Sequence, residues 1–267
     1  MRRIVLGLLL AAPLAAQIPV AVSIPPQKYF VERIAAGQAR VTVLIPPGSD
    51  PHHYEPKPRQ MAEFSRSRIY FTIGFPLEKA WAAKFLSANP GLQVVATDQG
   101  VEKIAGEDPH IWVAPRLVKQ ISRNIAAALS QAEPAKKDFF QANLRVFLTQ
   151  LDSLDADLRK MFSGFPAPPA FLVFHPSWGY FVRDYGLRQL AVEQEGKEPS
   201  PRELKQIIKQ AKDLGIKVVF VSPEFSQKSA KMIAEEINGR TALANPLAEN
   251  WLENMRLMAE GFKEAIR

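Results

Sequence analysis

The chain has 267 residues, of which 47% are hydrophobic, 34 are basic, 27 are acidic and none is cysteine. Without cysteine, a disulfide framework and a lipid-modified cysteine anchor are both excluded. The formal charge of +7 is a mild excess. Because basic and acidic residues are mixed along stretches such as ELKQIIKQAKDLG, the charge predicts a solvated surface and no nucleic-acid partner.

The first stretch, MRRIVLGLLLAAPLAAQ, places two arginines before an apolar run from Ile4 to Ala16. This layout predicts a secretory signal peptide over residues 1–16. The run is shorter than the about 20 apolar residues that a spanning helix needs, and no later segment is both long enough and apolar enough to span a membrane. We therefore expect an exported, periplasmic protein that does not span the membrane and that has no lipobox cysteine.

After this run, short apolar segments alternate with amphipathic ones. The first are the strand-like IPVAVSI, the helix-like QKYFVERIAAG and the strand-like VTVLI, followed by RIYFTIG, LEKAWAAKFLS, LQVVAT and PRLVKQISRNIAAALSQ. A strand–helix–strand rhythm implies parallel pairing of the strands. It predicts an N-terminal α/β lobe over residues 17–133.

The rhythm breaks from Pro134 to about Ser163, where no strand signal occurs. Apolar residues recur there at alternating spacings of four and three, namely Phe140, Leu144, Phe147, Leu151, Leu154, Leu158 and Met161. This apolar stripe predicts a linking helix over residues 134–164, roughly 30 residues and about 45 Å long, that Pro134 starts and Gly164 and Pro166 stop. The stripe favours packing across its own chain over a self-associating coiled coil.

The rhythm then resumes through AFLVF, SWGYFVRDYG, RQLAVE, SPRELKQIIKQAKDLG, KVVFVS, SQKSAKMIAEEING and RTALA to a final helix from about Ala248. It predicts a C-terminal α/β lobe over residues 165–267. The predicted fold class is therefore α/β, with two similar lobes of parallel sheet joined by one long rigid helix and a cleft between them. Ser200, Pro201 and Glu203 predict a capping box at the start of one helix of the second lobe.

Three of the four histidines follow predicted strands. His52 lies in DPHHYEP and His110 in DPHIW, both in the first lobe, whereas His175 lies in FHPSWGYF in the second lobe. Because ligands gather outside the carboxyl ends of parallel strands, these side chains are predicted to converge on the cleft. Neutral imidazole suits Zn²⁺, which often takes three protein ligands and a variable fourth, although any one of these histidines alone would be read as an exposed loop residue.

The residues around the histidines also favour a preformed metal site. Proline stiffens the two Asp-Pro-His loops, and the preceding aspartate can hold the second ring nitrogen of the histidine. His53 is predicted to be a bystander, because adjacent residues rarely point the same way. The second-lobe aromatics Trp178, Tyr180 and Phe181 are predicted to form core beneath the cleft. Glu224, in VSPEFS, is predicted to be a solvated loop carboxylate.

Five motifs in order carry a family likeness over nearly the whole chain: PPGSDPHHYEPKP, DPHIWVAP, FHPSWGYFVRDYGL, EGKEPSPRELKQII and NPLAENWLENM. They resemble the zinc- and manganese-binding receptors of ABC importers, the ZnuA/TroA-like group. The resemblance implies a periplasmic, monomeric receptor that carries one metal ion in its cleft to a membrane permease. His52, His110 and His175 match the histidines of the family motifs.

The resemblance also bears on the identity of the metal. Manganese-binding relatives often have a carboxylate where His175 stands, so Zn²⁺ is the expected cargo in preference to Mn²⁺. Many members supply an aspartate from an Asp-Pro-Leu segment, but this chain reads Asn245-Pro246-Leu247. The fourth position of the metal is therefore left to water, Glu224 or another carboxylate.

Two other functions are compatible with parts of the sequence. A zinc-dependent hydrolase also uses three histidines and an open position, and it needs a base beside the bound water, a role that Glu224 could fill. A metal-independent adhesin follows from the names of some relatives, but it would leave the histidines without a role. The sequence contains no nucleophile motif, phosphate loop or second acidic cluster, which favours a binding protein over an enzyme.

Overall fold

A computed structural model describes residues 16–104, 108–165, 167–193 and 199–266. The predicted signal peptide, apart from Ala16, lies outside the described residues, as do Pro166 and the QEGKE segment at 194–198. None of the helices in the described ranges combines the length and the apolar composition that crossing a bilayer requires.

The first half of the chain forms a four-stranded parallel sheet with helices around it. Its strands, in the order β2-β1-β3-β4, are β1 (Ile18–Val22), β2 (Ala39–Val43), β3 (Ile69–Thr72) and β4 (Gln93–Ala96). Its helices are α1 (Pro25–Ala35), α2 (Pro58–Phe64), α3 (Glu78–Ala88) and α4 (Pro115–Ala132). A single 3₁₀ turn, Ile111–Val113, lies between β4 and α4.

The second half repeats the same topology after the linking helix α5 (Lys137–Met161). Its strands, in the order β6-β5-β7-β8, are β5 (Ala170–Val173), β6 (Arg188–Ala191), β7 (Val218–Val221) and β8 (Arg240–Leu243). Its helices are α6 (Gly179–Tyr185), α7 (Pro201–Asp213), α8 (Gln227–Glu236) and α9 (Trp251–Ala265). The predicted fold class, two similar parallel α/β lobes joined by one long helix, is confirmed.

Helix α5 is stabilised by the apolar stripe that predicted it. Phe140, Leu144, Phe147, Leu151, Leu154 and Leu158 are all buried. The helix packs on α1 and α4 of the first lobe and on α9 of the second, so the stripe is used within the chain and not for a coiled coil. The helix has 25 residues instead of roughly 30, because Pro134–Lys136 form a 3₁₀ turn and the backbone leaves helical geometry at Phe162, before Gly164 turns left-handed at φ 89°.

One hydrophobic core runs through both lobes. At the junction, the ring of Phe30 from α1 lies 5.2 Å from that of Trp251 from α9 and 6.1 Å from that of Phe147 from α5. Deeper in the second lobe, Phe171 and Phe262 stack at 4.2 Å. The predicted core aromatics are buried as well, namely Trp178, Tyr180 and Phe181. A smaller apolar cluster fills the space between the second sheet and helices α7 and α8.

One local element was missed by the sequence prediction, and one predicted local feature is present. Helix α2 was not predicted, because its seven residues bury only Phe64 and show too little periodicity to be recognised. The capping box of α7 is confirmed: the Glu203 amide donates to the Ser200 hydroxyl at 3.4 Å, and the Ser200 amide donates to the Glu203 carboxylate at 2.7 Å.

Candidate metal centre

Three histidines from three separate loops meet at the junction of the lobes. His52 follows β2, His110 precedes the 3₁₀ turn after β4, and His175 follows β5. Their ring centroids lie 5.0–5.4 Å apart, and each ring offers a nitrogen within 4.8 Å of the others. The convergence expected from the strand-end positions therefore occurs, since the carboxyl ends of both sheets face the same cleft.

The nitrogens of two of these rings are spaced as ligands of one ion would be. Nε2 of His110 lies 3.4 Å from Nε2 of His175. Two imidazole nitrogens on a tetrahedral zinc, each at about 2.0–2.1 Å, would be about 3.3 Å apart. Two lone pairs at this distance repel each other unless a proton or a cation lies between them. The pair is thus arranged for a shared cation.

Carboxylates fix the orientation of the same two rings. Asp108 lies 2.6 Å from Nδ1 of His110, and Glu193 lies 2.8 Å from Nδ1 of His175. A carboxylate accepts, so each Nδ1 carries the proton and each Nε2 presents its lone pair to the cavity. The predicted role of the Asp-Pro aspartate holds for Asp108. Asp50 differs, because its oxygens accept from the His52 amide at 2.9 Å and contact Nδ1 of His53 at 2.7 Å.

Burial favours the neutral form of the His52 and His110 imidazoles. It lowers the pKa of His52 to about 4, and the neighbouring His110 and His175 lower it further than burial alone. Burial also lowers the pKa of His110, although Asp108 opposes the shift. A neutral ring is the metal-binding form, so protons compete weakly with a metal for these two rings near pH 7.

The histidines line a cavity of about 10 Å³. This volume accommodates about one water-sized particle, far less than the several hundred Å³ of an organic-ligand pocket. Among the described residues, the other lining side chains are mostly apolar and are Pro51, Trp112, Ser177, Glu224, Phe225, Pro246 and Leu247. The cavity therefore suits a single ion with at most one water molecule.

A buried carboxylate beneath the first sheet supports the His52 side of the cavity. Glu78, at the start of α3, accepts from the backbone amides of Ile73, Gly74 and Phe75 at 2.7–3.0 Å and from the hydroxyl of Ser23. These bonds hold the loop after β3, and the ring of Phe75 packs edge-on against His52 at 5.7 Å. Gly74 has φ 103°, which only glycine adopts without strain.

The other three residues considered for the metal site, His53, Asn245 and Glu224, have different surroundings. The His53 side chain is 72% exposed and lies outside the three-histidine cluster. Oδ1 of Asn245 accepts from the Leu247 amide at 2.8 Å and so caps a turn. The expectation that Glu224 is solvated is wrong, because both its carboxylate oxygens are buried at the cavity.

Sequence reasoning missed Glu193 as the partner of His175. A signal was available, since Glu193 follows β6, which pairs in parallel with β5 in the register Val173↔Ala191. The two residues that follow these strands, two positions beyond each, therefore reach the same edge of the sheet. Phe225 was missed as well, and its ring stacks on His175 at 4.6 Å with an interplanar angle of 17°.

Comparison with known proteins agrees with this geometry. A family profile described as "ZnuA: Zinc-uptake complex component A periplasmic" matches residues 20–265. The chain belongs to the ZnuA family. A solved structure of ZnuA is 41% identical, with a TM-score of 0.91, and the alignment covers 94% of this chain and all of that one.

Two curated relatives of this chain are named for different metals, zinc and manganese. The high-affinity zinc uptake system protein ZnuA of Bacillus subtilis is 25% identical over 83% of this chain and 76% of its own length. The manganese ABC transporter substrate-binding lipoprotein PsaA of Streptococcus pneumoniae is 25% identical over 78% of this chain and 73% of its own length.

Membership of the ZnuA family decides the class of function. The chain is a metal-binding substrate-binding protein of the ABC-importer type, and the family works with an importer permease. The prediction that the protein is not an enzyme is confirmed by this membership, and the hydrolase alternative is wrong. The family acts outside the cytoplasm.

Proposed function

We propose that the protein captures one Zn²⁺ ion with His52, His110 and His175 and delivers it to the permease of an ABC importer. The observation that carries this proposal is the 3.4 Å separation of the two Nε2 atoms, with both Nδ1 atoms held by carboxylates. Two of the ligands are thus pre-oriented, which lowers the entropic cost of binding the ion. The ion is the cargo of the receptor.

Ligand chemistry favours zinc over manganese. Mn²⁺ prefers oxygen donors and higher coordination, whereas imidazole nitrogen binds Zn²⁺ far more strongly. The cluster offers three imidazoles and leaves a cavity of about 10 Å³, so a four-coordinate ion with three histidines and one water is the arrangement that it supports best.

The cellular setting of the proposal follows from the sequence. The run MRRIVLGLLLAAPLAAQ supports export to the periplasm through a signal peptide over residues 1–16. The chain contains no cysteine for a lipid anchor. We expect the exported receptor to act as a monomer, which sedimentation of the mature protein can test.

The test is a zinc titration of the metal-free mature protein by calorimetry in competition with a chelator. We expect one Zn²⁺ per chain. His175→Ala should weaken zinc binding more than about 100-fold, beyond the loss typical of an outer hydrogen-bond partner. His53→Ala is the matched control, because His53 lies in the same loop as His52 but outside the cluster, and it should leave the affinity unchanged. Equal effects of the two substitutions would refute the ligand assignment.

A further inference from the structure

Glu224 carries two polar atoms that the structure leaves without a hydrogen-bond partner. Both its carboxylate oxygens are buried, and among the described residues the only other buried side-chain atom in this condition is the hydroxyl of Ser122. An ionised carboxylate that is removed from water without a donor or a cation is strongly destabilising. The group therefore requires a partner that enters from the cavity.

The position of Glu224 in the fold is that of a ligand-binding residue. It follows β7, and β7 pairs with β5 in the register Leu172↔Val219, so Glu224 and His175 follow neighbouring strands at the same edge. Strand β6 lies on the other side of β5, which makes the gap between β5 and β7 the point where the strand order reverses. Ligands of open parallel sheets bind outside that point.

Neighbouring contacts bring Glu224 to the histidine cavity. Phe225, the next residue, stacks its ring on His175, and both Glu224 and Phe225 line the cavity. The carboxylate is nevertheless not one of the ligand atoms that lie within 4.8 Å of one another, which come from the three histidines. Glu224 thus lines the cavity from outside the three-histidine cluster.

We propose that Glu224 accepts a hydrogen bond from the water molecule that occupies the fourth position of the bound zinc. A zinc–oxygen distance of about 2.1 Å and a hydrogen bond of about 2.7 Å place such a carboxylate about 4–5 Å from the metal. The inference rests on the proposed function, since it takes the three histidines as the direct ligands.

The charges around the cavity give this carboxylate a distinct role. Three neutral imidazoles leave the ion with its full double charge, and Asp108 and Glu193 act on it through the far side of their histidines. Among the described residues that line the cavity, Glu224 is the acidic one. Asn245 contributes no charge, and its side-chain oxygen is engaged by the Leu247 amide. Glu224 therefore holds the water and offsets the charge on the open side of the metal.

The test uses Glu224→Gln, which keeps the size of the side chain and removes its charge. We expect zinc affinity, measured by chelator competition, to fall about 10- to 100-fold, as for other outer partners of metal ligands. The metal-free variant should be as stable as the wild type or more stable, because an unpaired buried charge has been removed. Glu236→Gln, a charge removal on the exposed side of α8 in the same lobe, is the matched control and should change neither quantity.

Cobalt substitution gives an independent readout. A carboxylate beside a metal-bound water opposes its ionisation, so the pH at which the visible spectrum of the Co²⁺ protein changes should be lower in Glu224→Gln than in the wild type. An unchanged affinity and an unchanged spectral midpoint would overturn the inference. A loss of stability in the metal-free variant that matched the loss of affinity would also overturn it.

The outcomes separate this inference from the proposed function. If the wild type binds one zinc and His175→Ala abolishes binding while Glu224→Gln has no effect, only the role of Glu224 fails. If the wild type binds no zinc, both fail. A zinc-bound crystal structure with Glu224 bonded directly to the ion would overturn the water-mediated geometry, whereas a water molecule between them would confirm it.

Discussion

Trp251 donates a hydrogen bond from its indole nitrogen to the backbone oxygen of Trp112, at 2.8 Å and across the junction of the lobes. Trp112 makes a second hydrogen bond across the junction, in which its indole nitrogen donates to the backbone oxygen of Pro246 at 2.8 Å. Trp112 lies two residues after His110, and Pro246 lines the metal cavity. The two tryptophans therefore join the lobes directly beside the histidines.

The first prediction concerns this junction. Trp251→Phe keeps an aromatic ring but leaves the buried oxygen of Trp112 without its donor, so the free energy of unfolding should fall by about 1–3 kcal/mol. Zinc should also dissociate faster, because the lobes separate more easily. Urea unfolding and stopped-flow chelator capture measure the two effects. Trp81→Phe removes an indole from within the first lobe, and an equal rise in the dissociation rate there would contradict the prediction.

A second prediction is that the lobes move little when the metal binds. Helix α5 packs on α1, α4 and α9, and the hydrophobic core continues through the junction, so a wide hinge opening would expose buried aromatic surface. Small-angle scattering profiles of the metal-free and zinc-loaded protein should superimpose within error. Profiles that require a large rotation of one lobe would show that the linking helix is not a rigid strut.

The third prediction tests the carboxylate behind His175. Glu193→Gln replaces a carboxylate that can only accept with an amide that can either accept or donate, so the proton is held less firmly on Nδ1 and zinc affinity should fall about 10- to 100-fold. Nitrogen NMR of the labelled histidines should show a mixture of tautomers at His175 in the variant and one tautomer in the wild type. Glu236→Gln serves as the control, and retention of both full affinity and a single tautomer in Glu193→Gln would contradict this role.

Metal selectivity provides the fourth prediction. Asn245 lies beside Pro246 and Leu247 at the cavity, and one oxygen of an aspartate there could keep the bond to the Leu247 amide while the other faced the ion. Asn245→Asp should therefore raise the affinity for Mn²⁺ relative to Zn²⁺, because Mn²⁺ prefers charged oxygen donors. Competition titrations measure the ratio. An unchanged ratio would mean that this side chain only caps its turn.

The last prediction uses the pH dependence of stability. Burial raises the pKa of Glu78 from an ordinary 4.5 to about 7, although the donated bonds of Ser23, Ile73, Gly74 and Phe75 oppose the shift. Between these values the folded protein keeps a proton that the unfolded chain has lost. Glu78 therefore contributes stability that is fully present below about pH 4.5 and is lost as the pH rises through 7.

Glu78→Gln cannot titrate, so the stability difference between wild type and variant should shrink from pH 5 to pH 7.5. Urea unfolding of both metal-free proteins at matched pH values gives this difference directly. The other titrating groups contribute equally to both proteins and cancel. A difference that is independent of pH would show that Glu78 is ionised throughout, held so by its three backbone donors.

Much of the fold is predictable from the sequence because its elements follow simple periods. The alternation of short apolar runs with amphipathic segments located all eight strands of the described residues, and the stripe ending near Met161 located α5. The convergence of the histidines also followed, since strand ends of parallel sheets share one edge. Helix α2 was not predicted, because seven residues with one buried side chain show no clear helical period of apolar residues.

The carboxylates around the site were harder to predict. The Glu224 carboxylate is buried and lines a cavity that residues of both lobes form, and no local sequence pattern encodes that arrangement. The pairing of Glu193 with His175 depends on the register of β5 and β6, and the role of Glu78 depends on the path of the loop after β3. The strand-end positions therefore predicted the convergence of the three candidate ligands but not the groups that orient and surround them.

The continuous core has a consequence for the chain as a folding unit. Although the two halves repeat one topology, the face of α9 that carries Trp251 is covered by Phe30 and Tyr29 of α1. A fragment cut before α5 would expose those rings to water, and so would its complement. The duplicated halves have thus become obligate partners: the chain should melt in a single cooperative transition, and separately produced halves should recover a folded state only by reassembling with each other.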